Sequence, residues 1–323
     1  MINLLFSSAG RRVELIQCFR KAAAELACDV QIVAIDADPE WSPACQVADF
    51  AFRVPLCTDE KFISTVADIC QRHQVELVIP TIDTELVIYG DSREIIKDAG
   101  AEVLLSGKDV VTVARDKKKT AEKLASHGIR TPKTWPARYF ECGDADICFP
   151  LIMKPVDGSC SKGIFTICSR NELLSSGADL GRYVAQEICS GEEYTINAFY
   201  TRHGDCVSCV PHYRKFVRGG EVCLAETSRV PEFTFVAHRL SEIFPGLWGN
   251  ICFQGFLEKS GQVTVFEINA RFGGGYPICD QAGGTYAKWI LQDLMGQQPD
   301  YHDNWQEGLR MLRYDAAVFL RSK

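Results

Sequence analysis

The sequence predicts an open α/β unit at its N-terminus followed by a mainly antiparallel α+β half. Three observations predict this. Strand-like and helix-like runs alternate through residues 1–110, as a parallel sheet requires. A Gly- and Ser-rich loop, Val156 to Ile164, separates two short strands in the middle of the chain. A hairpin signature near the end, Gly249 to Pro277, carries a polar row on its second strand. At 323 residues the chain is longer than one compact core usually serves. The reading divides it into residues 1–110, 111–190 and 191–323.

In the first unit, Ile2 to Phe6 is a buried-strand run, and Ser7 to Arg12 turns into a helix with apolar positions at Val13, Ile16, Phe19, Ala23 and Leu26. Further strands are expected at Val30 to Ile35, Val75 to Thr81 and Val103 to Ser106, with a helix near Thr58 to His73. Ligands of such sheets sit at the carboxyl ends of the strands. There the sequence places Ser7 to Arg12, Asp36, Asp38, Thr81, Asp83 and Glu85. The turn Ser-Ser-Ala-Gly-Arg-Arg is not the glycine fingerprint of dinucleotide binding. Arg11 or Arg12, at a helix N-terminus, can hold an anionic substrate group or simply face solvent.

A single helix is expected over Lys108 to His127, stopped by Gly128 and carrying the cluster Arg115-Asp116-Lys117-Lys118-Lys119. Phe149 to Met153 reads as a strand ending in Lys154, whose half-buried stem asks for an anionic partner. The loop that follows contains Gly158, Ser159, Ser161 and Gly163, offering backbone N–H groups to phosphate oxygens without forming a Walker A sequence. Strands are expected at Tyr183 to Ile188, at Tyr194 to Tyr200 and on both sides of Arg218 to Glu221, then a helix over Pro231 to Phe244.

In the hairpin, strict alternation puts Val263, Val265, Glu267, Asn269 and Arg271 on one face and Thr264, Phe266, Ile268 and Ala270 on the core face. Glu267, Asn269 and Gln254 are oxygen donors of the kind Mg²⁺ takes alongside phosphate. Arg271 is placed to clamp a phosphoryl group. Gly273 to Gly275 allow close approach to a ligand. A helix over Tyr286 to Leu294 and a closing strand over Arg313 to Leu320 complete the half, its helices expected on one side of the sheet.

Composition narrows the class. The chain is 46% hydrophobic and 24% charged, ordinary for a globular protein, and its net charge of −7 argues against nonspecific nucleic-acid binding. No apolar run is long enough to span a bilayer, and the N-terminus lacks the order of a signal peptide. Fifteen scattered cysteines read as free thiols in a reducing cytoplasm, with Cys206-x-x-Cys209 too isolated for a zinc site. No residue specifies an oligomer, although a homodimer is compatible with exposed sheet or helix faces.

Taken in order, these features resemble the ATP-grasp superfamily, in its carbamoyl-phosphate-synthase-like branch with one ATP-grasp unit. The resemblance implies a Rossmann-like pre-ATP-grasp domain followed by an ATP-grasp fold of two α+β lobes. It implies that Lys117 and Lys154 reach the ATP phosphates and that Asp157 to Gly163 closes over them. Glu187 and Ile188 then meet the adenine, and Glu193 the ribose. Gln254, Glu267 and Asn269 take the places of the metal ligands for two Mg²⁺, with Mn²⁺ an alternative ion, and Arg271 steadies the γ-phosphate. The chain departs from the family with Asn197 where Asp is frequent and Cys252 where Asn is frequent.

The chemistry so implied is ATP-dependent activation of a small carboxylate as an acyl phosphate, then displacement of phosphate by an amine. Substrate candidates are Arg11, Asp83, Glu85, Arg218, Arg229 and Tyr276, with an amino acid suggested as one substrate. None of the six histidines falls in the matched motifs. The alternatives are bicarbonate as the activated carboxylate, or a noncatalytic nucleotide-binding protein.

Overall fold

The computed structural model describes residues 1–141, 148–158 and 163–320. The N-terminal unit runs β1 (Ile2–Ser7), α1 (Val13–Glu25), β2 (Val30–Asp36), α2 (Pro43–Val47), β3 (Phe50–Arg53), α3 (Phe62–Arg72), β4 (Leu77–Pro80), α4 (Asp83–Asp91), α5 (Arg93–Asp98) and β5 (Glu102–Val103). Its strands form a parallel sheet in the order β3-β2-β1-β4-β5. β3 was not expected from the sequence, and the strand expected at Val103 to Ser106 shrinks to β5.

The expected helix from Lys108 to His127 is two, α6 (Lys108–Arg115) and α7 (Lys117–Ala125). Asp116 breaks it by adopting extended backbone and accepting the N–H groups of Lys118 and Lys119, which starts a new helix at Lys117. A small antiparallel sheet follows, built from β6 (Thr134–Pro136), β7 (Leu151–Pro155) and β8 (Phe165–Ile167), then α8 (Arg170–Ser175) and β9 (Tyr183–Glu187). Its order is β6-β9-β7-β8. On β7, Leu151 and Met153 enter the core, leaving Ile152 and Lys154 on the opposite face.

The last sheet is antiparallel, in the order β14-β13-β10-β11-β12-β15. It comprises β10 (Glu192–Tyr200), β11 (Cys206–Arg218), β12 (Glu221–Thr227), α9 (Pro231–Ile243), β13 (Gly249–Leu257), β14 (Val263–Asn269), α10 (Tyr276–Ala282), α11 (Tyr286–Leu294) and β15 (Arg310–Leu312). The closing strand expected over Arg313 to Leu320 is therefore displaced to β15, because Leu224 to Glu226 pair with residues 310–312.

Helices cover both faces of this sheet rather than one. On one face, Tyr194, Ile196, Phe253 and Ile251 pack with Phe233, Val236 and Leu240 of α9. On the other, Phe199 and Val210 pack with Tyr286 and Trp289 of α11 and with residues of α1. α10 and α11 cover only part of that second face. The remainder, toward Glu193, is the floor of a cleft.

Candidate active site

The cleft has a volume of about 380 Å³ and is lined from all three sheets, including Arg12, Asp83, Lys117, Lys154, Glu187, Glu193, Gln254, Glu267, Asn269 and Arg271. Register explains the convergence on the large sheet. Glu193 pairs with Phe256, Thr195 with Gln254 and Asn197 with Cys252, so alternate residues of adjacent strands form polar rows across one face. Gln254 in turn lies opposite Glu267, and Cys252 opposite Asn269.

The alternation expected on β14 breaks. Between Gln254 and Gly255 the register with β14 slips, Gln254 pairing with Glu267 but Gly255 with Val265. Phe266 is the extra residue of this bulge. Val265 joins the core, with Val263 packed against it, while Phe266 lines the cleft and lies 5.2 Å from the ring of Phe256. Beyond the bulge the expected pattern resumes: Ile268 and Ala270 are core residues, and Glu267, Asn269 and Arg271 face the cleft. The adjacent apolar residues Val265 and Phe266 were a sequence signal for the break.

The two lysines flank Glu267, and only Lys117 is within ion-pair distance of it. Lys117, at the first position of α7, donates to the Gly158 carbonyl oxygen at 2.8 Å and lies 3.7 Å from Glu267 Oε1. Lys154 stands over the Phe266 ring at 4.8 Å. Burial pushes the Lys154 ammonium below its ordinary value; Glu267 opposes this, and Lys117 adds to it. Arg271 donates to Asp83 Oδ2 at 2.6 Å and to the Phe272 carbonyl oxygen at 3.0 Å. Burial alone would lower its pKa, but the adjacent Asp83 carboxylate holds it above its ordinary value. With its amide turned, Asn269 donates to Asp83 Oδ1 at 2.9 Å, which frees its carbonyl oxygen for the cleft. Asp83 thus orients both residues from the other domain.

Fit to a divalent metal can be judged from these donors. Among the described residues no three His, Cys, Asp or Glu side chains converge on a metal position. Glu267 with the amides of Gln254 and Asn269 offers one charged and two neutral oxygen donors. That set suits a hard cation whose shell is completed by phosphate oxygens and water, and fits Mg²⁺ on that condition.

Other expected residues lie as follows. Gly158 and Ile188 line the cleft with Glu187, whose carboxylate is 3.3 Å from Lys133 Nζ. Gly163 takes a positive φ of 71° where the loop rejoins β8. Ser159 and Ser161 lie outside the described residues. Glu193 pairs with Arg214 at 3.1 Å.

Among the substrate candidates, Asp83 alone lines the cleft. Glu85 is fully buried and accepts hydrogen bonds from Ser7, Ser8, Thr81 and Ile82, so it joins two chain turns instead of facing a ligand. Arg218 pairs with Asp315, 3.2 Å apart through Nη1, at the outer end of β11. Arg229 caps the carbonyl oxygens of Asp303 and Trp305 and stacks on the Trp305 ring. Tyr276 is buried with its hydroxyl on Asp280 and Gly284. Arg11 is exposed at the rim, 3.6 Å from Glu221. The sequence reading missed Glu221, Arg214 and Arg313. Asp36 accepts the N–H groups of Gly10 and Asp38, a turn-holding role.

A family model described as ATP-grasp domain matches residues 114–275, and one described as PylC-like, N-terminal domain matches residues 4–104. The D-alanine–D-alanine ligase of Fusobacterium nucleatum is 26% identical over 206 residues, 58% of this chain and 69% of that protein. A formate-dependent phosphoribosylglycinamide formyltransferase of Prochlorococcus marinus is 25% identical over 260 residues, 75% of this chain. The chain spans 64% of that protein's length. Among solved structures, the biotin carboxylase domain of Hydrogenobacter thermophilus 2-oxoglutarate carboxylase, in complex with MgADP, ADP and bicarbonate, gives a TM-score of 0.76 at 14% identity, over 95% of this chain and 73% of that one. The L-amino acid ligase from Bacillus licheniformis gives 0.69 at 19% identity, over 91% and 74%. At these identities the structural likeness concerns the fold.

Proposed function

The chain belongs to the ATP-grasp family, and from that premise we propose that it is an ATP-dependent carboxylate–amine ligase. The observation that carries the reading is the convergence of Lys117, Lys154, Gln254, Glu267, Asn269 and Arg271 on one cleft. Phosphoryl transfer asks a protein mainly for positioning and charge neutralisation, and these side chains supply both.

In this reading the adenine lies between the apolar walls of Ile152, Ile188, Phe256 and Phe266, with Glu187 and Ile188 at its edge. Glu193 meets the ribose. Lys117 and Lys154 hold the phosphates; the expected closure of Asp157 to Gly163 over them, which would exclude water, falls largely on residues 159–162, outside the described residues. Gln254, Glu267 and Asn269 would hold Mg²⁺, two ions in the full proposal, with Mn²⁺ able to substitute. When bound, the metal neutralises charge on the transferring phosphate. Arg271, steered by Asp83, faces the γ-phosphate. The carboxylate attacks that phosphorus, ADP leaves, and an amine then displaces phosphate from the acyl phosphate.

The arrangement of the units into residues 1–110, 111–190 and 191–323 belongs to the same proposal. So does action as a cytoplasmic enzyme on small molecules, without nucleic acid or membrane, with a homodimer compatible with its exposed faces. No described helix is long and apolar enough to cross a membrane.

ADP release from Mg-ATP, measured against pools of amino acids and small carboxylates, tests the reading. Stimulation by one pool that disappears in Glu267→Ala is the expected result. Stimulation by bicarbonate alone would favour carboxyphosphate chemistry, and tight ATP binding with no stimulated turnover would overturn the ligase.

A further inference from the structure

The end of the cleft away from the adenine walls is assembled from four distant stretches. Glu221 opens β12 and meets three guanidinium groups: Arg12 Nη1 at 3.4 Å, Arg11 Nη2 at 3.6 Å and Arg313 Nη1 at 3.4 Å. Arg313 also donates to Glu14 at 2.9 Å and to the Gly274 carbonyl oxygen at 2.8 Å. Arg12, Glu221 and Gly274 all line the cleft. At Gly274 a methyl group would stand 3.0 Å from Arg12 Nη1 and 3.2 Å from the Glu221 carboxyl carbon. The absence of a side chain there keeps both groups within reach of the cleft.

Beneath this end lies His212, fully buried, with neither ring nitrogen hydrogen-bonded. Its Nε2 is turned toward Gly275, where a Cβ would come within 2.7 Å. Burial, with Arg214 and Arg313 nearby, pushes its pKa down to about 3, so the imidazole is neutral and adds no cation to the floor. Arg313 Nε is likewise buried without a partner. Three guanidiniums thus surround Glu221, a carboxylate that faces the cleft.

We infer that this end is the subsite for a small amino acid substrate, Arg12 taking its carboxylate and Glu221 its ammonium group. The inference rests on the ligase reading above and names the substrate class for that site. A guanidinium presents a fork of N–H donors, so Arg12 can serve a ligand carboxylate while keeping its bond to Glu221. Arg313 is a positioning residue: it holds Glu221 from behind and fixes the Gly274 carbonyl. Gly274 is three residues past Arg271, at most about 10 Å along the chain. An amino acid on Glu221 and Arg12 therefore sits within a small molecule's length of the phosphoryl-transfer arginine.

Equilibrium dialysis of labelled amino acids against the ADP-loaded protein tests this without turnover. The probes are pools of L- and D-amino acids and the matching 2-hydroxy acids, which keep the carboxylate and lose the ammonium. We expect an amino acid to bind at least about tenfold more tightly than its hydroxy analogue, as a charged hydrogen-bonded pair provides. Glu221→Gln should erase that difference. Gly274→Ala should weaken both ligands about tenfold, with ADP affinity kept within about twofold in each variant as the check on folding.

Equal binding of hydroxy and amino acids, binding unmoved by both variants, or no amino acid bound while ADP binds, would overturn the subsite. Binding with the expected pattern but no stimulated ADP release would keep the subsite and remove the ligase reading instead.

Discussion

At one end of the cleft two lysines stand near a single carboxylate that only one of them pairs with, whereas at the other each arginine already has an acidic partner. Lys117 lies 3.7 Å from Glu267, and among the described residues Lys154 has no carboxylate within ion-pair distance. Arg12, Arg271 and Arg313 pair with Glu221, Asp83 and again Glu221. The lysine end is short of negative charge, which a triphosphate supplies. The arginine end is closer to balance, so a ligand there must share or exchange partners. The first arrangement favours affinity for a polyanion; the second favours discrimination, because a wrong ligand leaves buried charges unpaired.

Removing the acid at the lysine end should have the largest effect. Glu267→Ala deletes the only carboxylate among the three proposed metal-binding side chains and leaves Lys117 and Lys154 facing each other. Stimulated ADP release should fall by about 10³-fold or more, on the scale of losing a group that stabilises transferring phosphate. Steady-state kinetics with saturating Mg-ATP would check this. A loss below tenfold would mean that the lysine end does not serve phosphoryl transfer.

Asp83→Ala asks whether the paired arginines depend on their acids. The side chains of Arg271 and Asp83 are 14% and 10% exposed, so removing the acid leaves a nearly buried guanidinium uncompensated. Unfolding free energy should drop by about 3 kcal/mol, and kcat by about 10- to 100-fold, because Arg271 and the Asn269 amide lose their common acceptor. Asp83→Asn keeps an acceptor oxygen and should restore part of kcat. Denaturant titration and kinetics on the same preparations separate the two effects.

The lysine end should also respond to pH. Burial holds the free-state pKa of Lys154 below the ordinary lysine value, and bound phosphate would raise it again. Affinity for Mg-ADP is then full below the free-state pKa and declines as pH rises from there toward the bound-state value. Lys154→Met should bind more weakly and lose that slope. Calorimetric titrations in two buffers of different ionisation enthalpy should show proton uptake on binding in this window.

How far the sequence carried differs between the two ends. Lys154, Gln254, Glu267, Asn269 and Arg271 were readable because each lies on a strand or at its end, where alternation or order along the chain assigns a face. Even there a bulge moved Phe266 into the cleft, and Asp116 split one expected helix at the position that starts Lys117. At the arginine end the sequence offered Arg11 or Arg12 for an anionic group, but not Glu221 or Arg313. Arg12, Glu221 and Arg313 are separated by more than 90 residues at each step and meet only because β12 and the segment after β15 close over the start of α1. Charge alone could not rank them above Arg218 and Arg229, whose partners also come from distant segments.

Arg218→Ala supplies the smallest effect and the sharpest check on that ranking. Its guanidinium pairs with Asp315, and the two side chains are 59% and 78% exposed. Such a pair is worth between nothing and about 1 kcal/mol, and added salt screens it further. Arg218 does not line the cleft, although Gly220 and Glu221, two and three residues later, do. Gly219 and Gly220, both at positive φ, turn the chain so that Arg218 ends β11 opposite Glu221, but Arg218 is held by Asp315 whereas Glu221 is held by Arg12 and Arg313. KM for the stimulating carboxylate and kcat should therefore both stay within about twofold of the unmodified protein, while Glu221→Gln, three residues away, raises KM. A KM change in Arg218→Ala as large as that in Glu221→Gln would mean that the 218–221 turn acts as one flexible unit, and the assignment of Glu221 alone would have to be given up.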